Sequence, residues 1–422
     1  MITKAYKFRI YPTKVQEETI NNCFRVNDFI YNFFLGLEQE TYDVLYMYGL
    51  RNGEKKEDKH LNKWRTENKL WFNRFDASRL LTKMAKLEKY KFLKTYPSTS
   101  RTYSLKSLES GMKSFMKGGG FPKFKNKKSN KSFTIQTQKD LKIIHKNGKW
   151  HSINLPSALD FPIKKLDIKI HNELFLSPNI KTNSCTVSKR GNQYFISFQV
   201  ELPGELPRKR EIKKETSVGV DFGVKKIITI SSDEENPYSC ETRFLKNSMN
   251  ELKRLQKALS QKKKGSVKYN NIKEKINKLH IKISNQRKNL QHNISSFLVN
   301  LNADTIIMED LNLKGMTKTP NPIESNGTFL PNGKSRKSGL NASILDVGIG
   351  EIKTQVQYKS DFCGKNVVLV NPQYTSQKCN NCGFTHKENR ISQSEFECKN
   401  CGHKDNADKN ASKNIKQKYF DN

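Results

Sequence analysis

Cys379-Asn-Asn-Cys382, fifteen residues, Cys398-Lys-Asn-Cys401 and then Gly402-His-Lys-Asp-Asn-Ala-Asp408-Lys-Asn stand near the C-terminus of the chain. Two Cys-x-x-Cys pairs at this separation have the spacing of a tetrahedral zinc site, with each pair on a tight knuckle. A pair of disulfides is the competing reading, and the lack of a secretory signal at the start of the chain favours metal. A closed four-thiolate site leaves no position for water, so Cys379, Cys382, Cys398 and Cys401 are expected to staple the fold rather than react. The carboxylate seven residues past the last thiol, Asp408, then needs partners from far upstream.

The chain has 422 residues, enough for two or three domains with real cores. Lys and Arg number 77 against 41 Asp and Glu, a net charge of +36 at 35% hydrophobic content. That balance points to a polyanionic partner, because each neutralised phosphate releases condensed counterions. The cations are interleaved with 15 Tyr and 24 Phe, side chains able to stack on bases, so nucleic acid is the expected partner. The opening residues alternate apolar and charged side chains, unlike a signal peptide, and no run reaches the length of a membrane span. An intracellular, soluble protein without a membrane partner is expected. Cys23, Cys185, Cys240 and Cys363 are isolated in sequence and are expected to be small buried or half-buried residues.

In chain order, residues 2 to 11 alternate like a strand, and Thr13 with Gln16 offers a capping box for a helix running to about Met47. After a charged loop, Arg51 to Lys59, helical patterns recur at 61–67, 77–92 and 105–116. Gly118-Gly119-Gly120 ends this block, and a β-rich stretch follows. Strands are expected at 133–136, 142–144 and 150–155, the last two around the Asn147-Gly148 hairpin signal, and at 185–188 and 194–201 around Arg190-Gly191-Asn192. With the first ten residues these suggest a small β-barrel interrupted by a helical insertion. Residues 205–215 form a charged, Pro-containing linker. Beyond it come strand, turn and strand over 217–230, two helices over 247–300 hinged at Lys262-Lys-Lys-Gly265, a strand at 305–309, a helix at 344–363 and a strand at 367–370. The Pro/Gly/Asn/Ser-rich stretch 317–341 is long enough for a mobile loop or lid.

Three carboxylates occupy comparable places: Asp221 on a strand, Glu309 at the end of a later strand, and Asp408 just before a helical pattern at 411–415. Carboxylates converging from strand ends and a nearby helix suit hard divalent cations, and in two-metal phosphodiester hydrolysis the ions clamp the attacking and leaving oxygens. Ribonuclease H-like folds use this arrangement. Taken singly each residue has a plainer reading: Asp-x-Gly also occurs in phosphate-binding turns, Glu309 can cap the next element, and Asp408 can be an N-cap with Asp405 an exposed charge. The order of the elements supports the joint reading.

Gly219-Val-Asp221-Phe-Gly-Val-Lys225, Met308-Glu309-Asp310-Leu311, Pro372-Gln-Tyr-Thr-Ser-Gln377, both Cys pairs and Asp408-Lys-Asn-Ala-Ser-Lys-Asn-Ile415 resemble the RuvC and zinc-binding signatures of the TnpB family. These are transposon-encoded RNA-guided DNA endonucleases related to the smallest type V CRISPR effectors. Phe8-Arg-Ile-Tyr-Pro12, Phe29-Ile-Tyr-Asn-Phe33, Gly120-Phe-Pro-Lys-Phe-Lys125 and Lys262-Lys-Lys-Gly-Ser266 extend the resemblance over nearly the whole chain. It implies an α/β and β multi-domain protein: a wedge-like β-barrel (1–12 and 117–212), a helical recognition insertion (13–116), a RuvC, ribonuclease H-like nuclease domain (213–377 and 403–422) and an inserted zinc module (378–402). It further implies structural Zn2+, two catalytic Mg2+ on Asp221, Glu309 and Asp408, a guide RNA from the protein's own locus, and a double-stranded DNA target beside a short motif. A prokaryotic cytoplasmic setting, nucleoid-associated on DNA, follows, with a monomer or a dimer on the RNA. Lys123, Lys125, Lys262, Lys263, Lys264, Ser98 and Thr102 are the candidate nucleic-acid contacts. Ser98 and Thr102 lie where the family places its target-motif readers, but Ser98-Thr-Ser-Arg-Thr-Tyr103 aligns too loosely to assign bases, and 51–60 departs from the pattern. Sequence specificity would then be delegated to base pairing. A nuclease-independent guided binder or repressor and a miniature CRISPR effector are the alternatives. A strand-joining transposase is disfavoured, since no His-hydrophobe-His motif with a catalytic Tyr is present.

Overall fold

A computed structural model describes residues 2–51, 72–136, 142–154, 165–170, 181–202, 204–224, 226–232, 234, 236, 238, 244–325 and 328–421. The chain divides into two compact units, Met1–Glu205 and Leu206–Asn422, at the start of the charged stretch read as a linker.

In the first unit, β1 (Ile2–Ile10) alternates as its sequence suggests, burying Tyr6, Phe8 and Ile10 and exposing Lys7 and Arg9. The strands β2 (Lys131–Gln136), β3 (Lys142–Asn147), β4 (Trp150–Asn154), β5 (Lys165–Lys169), β6 (Lys181–Arg190) and β7 (Gln193–Leu202) join it in the antiparallel order β2-β6-β7-β1-β5-β4-β3. Among the described residues this sheet is open, with β2 and β3 at its ends, so the closed barrel expected from sequence is not found. The gap is between β2 and β3, which share no ladder; β1 pairs with β7 from Ile2 to Ile10 and with β5 at Ile10↔Ile168, beyond which Pro12 and the capping box turn the chain into the helix Lys14–Arg51, so the β5-β4-β3 half is joined to the rest near Ile10 alone. In that box the Thr13 N–H donates to Gln16 Oε1 at 2.9 Å and the Gln16 N–H to Thr13 Oγ1 at 3.4 Å.

The expected helix at 77–92 is instead Arg74–Met84 followed by the tighter 3-10 turn Glu88–Thr95, and the expected 105–116 helix begins earlier, at Ser98. The pattern at 61–67 and most of the charged loop lie outside the described residues. Helices and sheet share one core: Phe24 and Tyr96 pack against Phe133 of β2, with ring centroids 5.6 and 6.0 Å apart. Inside it Asn27 Oδ1 accepts hydrogen bonds from Ser104 at 2.5 Å and Tyr96 at 3.4 Å. Much of the aromatic content expected to face nucleic acid is therefore spent on packing. Cys23 and Cys185 are buried as expected; Cys363, at the end of a helix in the second unit, is exposed, and Cys240 is outside the described residues.

The second unit is built on a four-stranded sheet, β13-β10-β8-β9, formed by β8 (Ser217–Phe222), β9 (Ile228–Ile230), β10 (Thr305–Glu309) and β13 (Asn366–Val370). The three strands β13, β10 and β8 are parallel and β9 is antiparallel. All five residues of β10 are buried, the signature of a strand covered on both faces. Ile306 and Met308 pack with Ile294 and Leu298 of the helix Val267–Asn300 and with Ile352 and Val356 of the helix Ile349–Phe362. Ile307 packs with Ile415 of the C-terminal helix, Ala407–Phe420. Successive strand residues point to opposite faces, so the odd-numbered residues of β8 and β10, Asp221 and Glu309 among them, face the C-terminal helix.

The helices Phe244–Ser260 and Val267–Asn300 are separated at Gly265, whose φ of 88° suits glycine, as the hinge reading expected. The stretch 317–341 is more ordered than a free lid: it holds the hairpin β11 (Ile323–Ser325) and β12 (Thr328–Leu330) and the start of the helix Lys334–Val347. The single helix expected at 344–363 is broken at Gly348 (φ 71°), where a Cβ would lie 2.2 Å from Gln291 Nε2.

Gly219 on β8 lets the C-terminal helix settle on the sheet. A Cβ there would lie 2.1 Å from Ser412 O and 2.7 Å from Lys416 N, both backbone atoms of that helix. Gly219→Ala is therefore expected to push the helix off the sheet and destabilise the second unit by about 3 kcal/mol, at the upper end of overpacking costs. Thermal and denaturant unfolding measure this, and an unchanged midpoint would show that the helix yields without cost.

Candidate active site and four-cysteine centre

Register brings the first two carboxylates together. Ile307 pairs with Gly219 and Met308 with Val220, so Glu309 and Asp221 come next on neighbouring parallel strands, one residue past the last pair. Asp408 is supplied by the first turn of the C-terminal helix. It is not the cap: Asn406 is, its Oδ1 accepting from the N–H groups of Asp408 and Lys409 at 3.1 and 3.2 Å. Asp405, which the sequence left as a possible exposed charge, is half-buried and paired with Lys413 at 2.8 Å.

Asp221 feels the other two acids. Burial, then the neighbouring charges of Glu309 and Asp408, raise the Asp221 carboxyl from 3.8 to about 7, and Arg390 opposes the shift. Glu309 is buried and is also raised, chiefly by desolvation, against the hydrogen bond from Thr375 and the charges of Lys353 and Lys418. Glu309 and Asp408 have distinct holders. The Thr375 hydroxyl donates to Glu309 Oε1 at 2.6 Å, and Lys353 Nζ donates to the Glu309 carbonyl at 2.7 Å. Arg390 Nη2 lies 3.1 Å from Asp408 Oδ1. Sequence reasoning does not reach these three: Thr375 and Arg390 sit on either side of the first Cys pair, and Lys353 is one lysine among many. Two desolvated carboxylates, Asp221 and Glu309, with the half-buried Asp408 close enough to act on Asp221, are a donor set suited to hard divalent cations.

The four thiols converge as their spacing predicts, with all sulfurs within 4.8 Å of one another. Cys379 to Cys401 and Cys382 to Cys398 are 3.8 and 3.6 Å apart, close to the roughly 3.8 Å edge of a tetrahedron with about 2.3 Å Zn–S bonds. No disulfide joins them. The two knuckles are built alike: the N–H groups of Gly383 and Gly402, at φ 76° and 71°, each donate to the carbonyl of the leading Cys at 2.9 Å. A hydrogen bond from the Phe384 N–H lowers the Cys382 thiol to about 6, favouring the thiolate, whereas burial raises Cys379 to about 12, the mark of a thiolate that needs a cation beside it. The cluster fits a zinc site. Asn389, fully buried, ties the knuckles together by donating to Gln377 O and Phe384 O and accepting from Lys399 N. β14 (Glu395–Glu397) and β15 (Lys404–Asn406) then lead into the C-terminal helix.

A family profile described as "Probable transposase" matches residues 197–319, and one described as "Cas12f1-like, TNB domain" matches 350–415. A third, "Helix-turn-helix domain", matches 1–43, where the structure has a strand and one unbroken helix. "Putative RNA-guided DNA endonuclease InsQ" of Escherichia coli (strain K12) is 32% identical over 98% of this chain and 91% of its own length. The chain belongs to the TnpB family of RNA-guided DNA endonucleases. A Streptomyces pristinaespiralis protein of the same description as InsQ is 24% identical over 98% of this chain and 89% of its own. The TnpB-family chain also shares its fold with a Cas12f1 solved by cryo-EM as a complex with sgRNA and target DNA, at a TM-score of 0.53, 15% identity and 98% coverage of both.

The candidate nucleic-acid contacts are scattered. Ser98 and Thr102 are exposed one helical turn apart at the start of Ser98–Met116. Lys262, Lys263 and Lys264 are exposed in the turn between two helices, and Lys123 is exposed. Lys125 is half-buried, its ammonium 4.4 Å from the Tyr31 ring centroid and its backbone bonded on both sides to Asn32. No helix among the described residues is long and apolar enough to cross a membrane.

The Asp221 shift has a consequence for the metal-free protein. A carboxyl at 3.8 in the unfolded chain and about 7 in the fold contributes stability that is full below pH 4 and is lost as pH rises through 7. Asp221→Asn should therefore stabilise the chelator-treated protein at pH 8, by on the order of 2 kcal/mol, and progressively less towards pH 4. Calorimetry at both pH values checks the sign, and an equal shift at each would place the Asp221 carboxyl at its ordinary value.

Proposed function

We propose that the chain is an RNA-guided DNA endonuclease that hydrolyses DNA at Asp221, Glu309 and Asp408 of a RuvC, ribonuclease H-like domain. The observation that carries this reading is the convergence of the three acids from β8, β10 and the C-terminal helix in a chain 32% identical to InsQ over nearly its whole length. Guide RNA and a double-stranded DNA target beside a short motif are the partners, and the +36 charge supplies the backbone contacts that an A-form heteroduplex requires.

Asp221, Glu309 and Asp408 would hold two divalent ions, Mg2+ being the natural choice for an all-carboxylate donor set. Such ions supply activation of water and neutralisation of charge on the attacked phosphodiester. The chain contributes the geometry. Parallel register sets Asp221 beside Glu309, Thr375 fixes one oxygen of Glu309 so that the other stays available, and Asn406 fixes the turn bearing Asp408. The cysteine centre would hold structural zinc and, through Asn389, keep Arg390 at Asp408.

Alanine at Asp221, Glu309 or Asp408 should abolish plasmid cleavage by the RNA-loaded protein in Mg2+ while guided target binding persists, and full-rate cutting by any one variant removes that residue from the site. Thr375→Val should slow cleavage roughly 10- to 100-fold, as for a residue orienting a ligand. A loaded complex that binds its matched target and never cuts would make the protein a guided binder.

Cys379→Ser should release zinc and lower the unfolding temperature of the second unit, since structural zinc contributes folding free energy directly. Metal analysis and calorimetry test this together, and an unchanged zinc content with an unchanged midpoint refutes it.

A further inference from the structure

Tyr374 is the one described residue other than glycine with a positive φ, 65°, and it is 64% exposed. The left-handed conformation is disfavoured for any residue with a Cβ and free for glycine. The turn itself has a clear purpose: it delivers Thr375. The Thr375 hydroxyl donates to Glu309 Oε1 at 2.6 Å and to Pro372 O at 2.9 Å, and the Thr375 carbonyl accepts from Asn414 Nδ2 at 2.9 Å. The Tyr374 carbonyl accepts from the N–H groups of Gln377 and Lys378 at 3.0 and 2.9 Å, which starts the chain into the first Cys knuckle. Every one of these bonds uses backbone or Thr375; none uses the tyrosine ring. Among the described residues the ring meets no other aromatic group and no cation. A glycine would make the turn at lower cost, so the ring's use lies outside the fold.

Its place suggests what that use is. Tyr374 is the chain neighbour of the residue that grips Glu309, so its Cα lies at most roughly 9 Å from that carboxylate, given about 3.8 Å between successive Cα atoms. Beside it, Lys418 Nζ donates to the carbonyl of Gln373, and the charge of Lys418 is felt at Glu309. An unpartnered aromatic face and a lysine at the edge of a phosphodiester-cleaving site are the two elements that hold a single strand, one for a base and one for a phosphate.

We propose that Tyr374 is a substrate-binding residue of the cleavage site, its ring stacking on a nucleobase of the strand being cut while Lys418 meets the adjoining phosphate. The inference rests on the nuclease reading above and adds to it how the strand is seated. Stacking on the ring registers the scissile phosphate over the carboxylates, and it tolerates any base because every base has a π-face.

The test is single-turnover cleavage by the RNA-loaded full chain in Mg2+, with guided target binding and unfolding temperature measured alongside. Tyr374→Gly should cut roughly 10- to 100-fold more slowly, the size of a lost base stack, with target binding unchanged and an unfolding temperature equal to or above wild type. Tyr374→Phe and Tyr374→Trp should cut at close to the wild-type rate. Abasic sites flanking the mapped cut position should slow the wild type and leave Tyr374→Gly unaffected. Cleavage by Tyr374→Gly at the wild-type rate overturns the inference, as does a Tyr374→Phe variant as slow as Tyr374→Gly. A lowered unfolding temperature in Tyr374→Gly overturns the premise that the ring is idle in the fold. Wild type that binds its target without cutting overturns the nuclease reading, and this one with it, whereas wild type that cuts beside an equally fast glycine variant sinks the tyrosine's role alone.

Discussion

A carboxylate, Asp221, desolvated beside the charges of Glu309 and Asp408 is the constraint around which the second unit is arranged. Left alone the three acids would repel and hydrate, so the fold has to hold them by groups that are themselves immobile. Strand pairing does this for Asp221 and Glu309: they stand one residue past the last β8–β10 pair, and each is held in a further ladder, Asp221 opposite Thr229 and Glu309 opposite Val370. The third acid comes from an element that could move, and the close seat at Gly219 removes that freedom. A site assembled this way resists opening, and its charge is left to be balanced by what binds there.

The four-cysteine centre belongs to the same arrangement. It lies in chain order between Thr375, which holds Glu309, and Asp408, and both ends of the module run directly into residues of the acidic site. Asn389 spans the two knuckles and precedes Arg390, whose guanidinium reaches Asp408. A small element with little apolar core of its own, Cys379, Phe396, Cys398 and Ala407, thus becomes a rigid bracket.

The first unit answers a different demand. Its helices and seven-stranded sheet share a single core rich in Phe and Tyr, and several lysines lie over aromatic rings, as Lys7 does over Phe195 at 4.7 Å and Lys169 over Trp150 at 4.5 Å. Such cations extend the packed surface while leaving their charge outward. Compact packing beneath and dense positive charge above is what a protein needs if it is to grip a nucleic-acid backbone without reading most of its sequence.

The chain by itself determined what short-range chemistry can specify. The four thiols, the capping box at Thr13 and Gln16, the β3–β4 hairpin (its turn at Gly148-Lys149, one residue past the Asn147-Gly148 signal), the hinge at Gly265 and the strands bearing Asp221 and Glu309 are all legible, because each depends on residues close in sequence. Tertiary structure alone decided the rest. It left the first sheet open between β2 and β3, ended one helix and began the next at Gly348, where Gln291 fills the space a Cβ would need, and brought Thr375, Lys353 and Arg390 to the acids. None of these follows from local pattern, since each is set by which distant backbone or side chain arrives at the same few cubic ångströms.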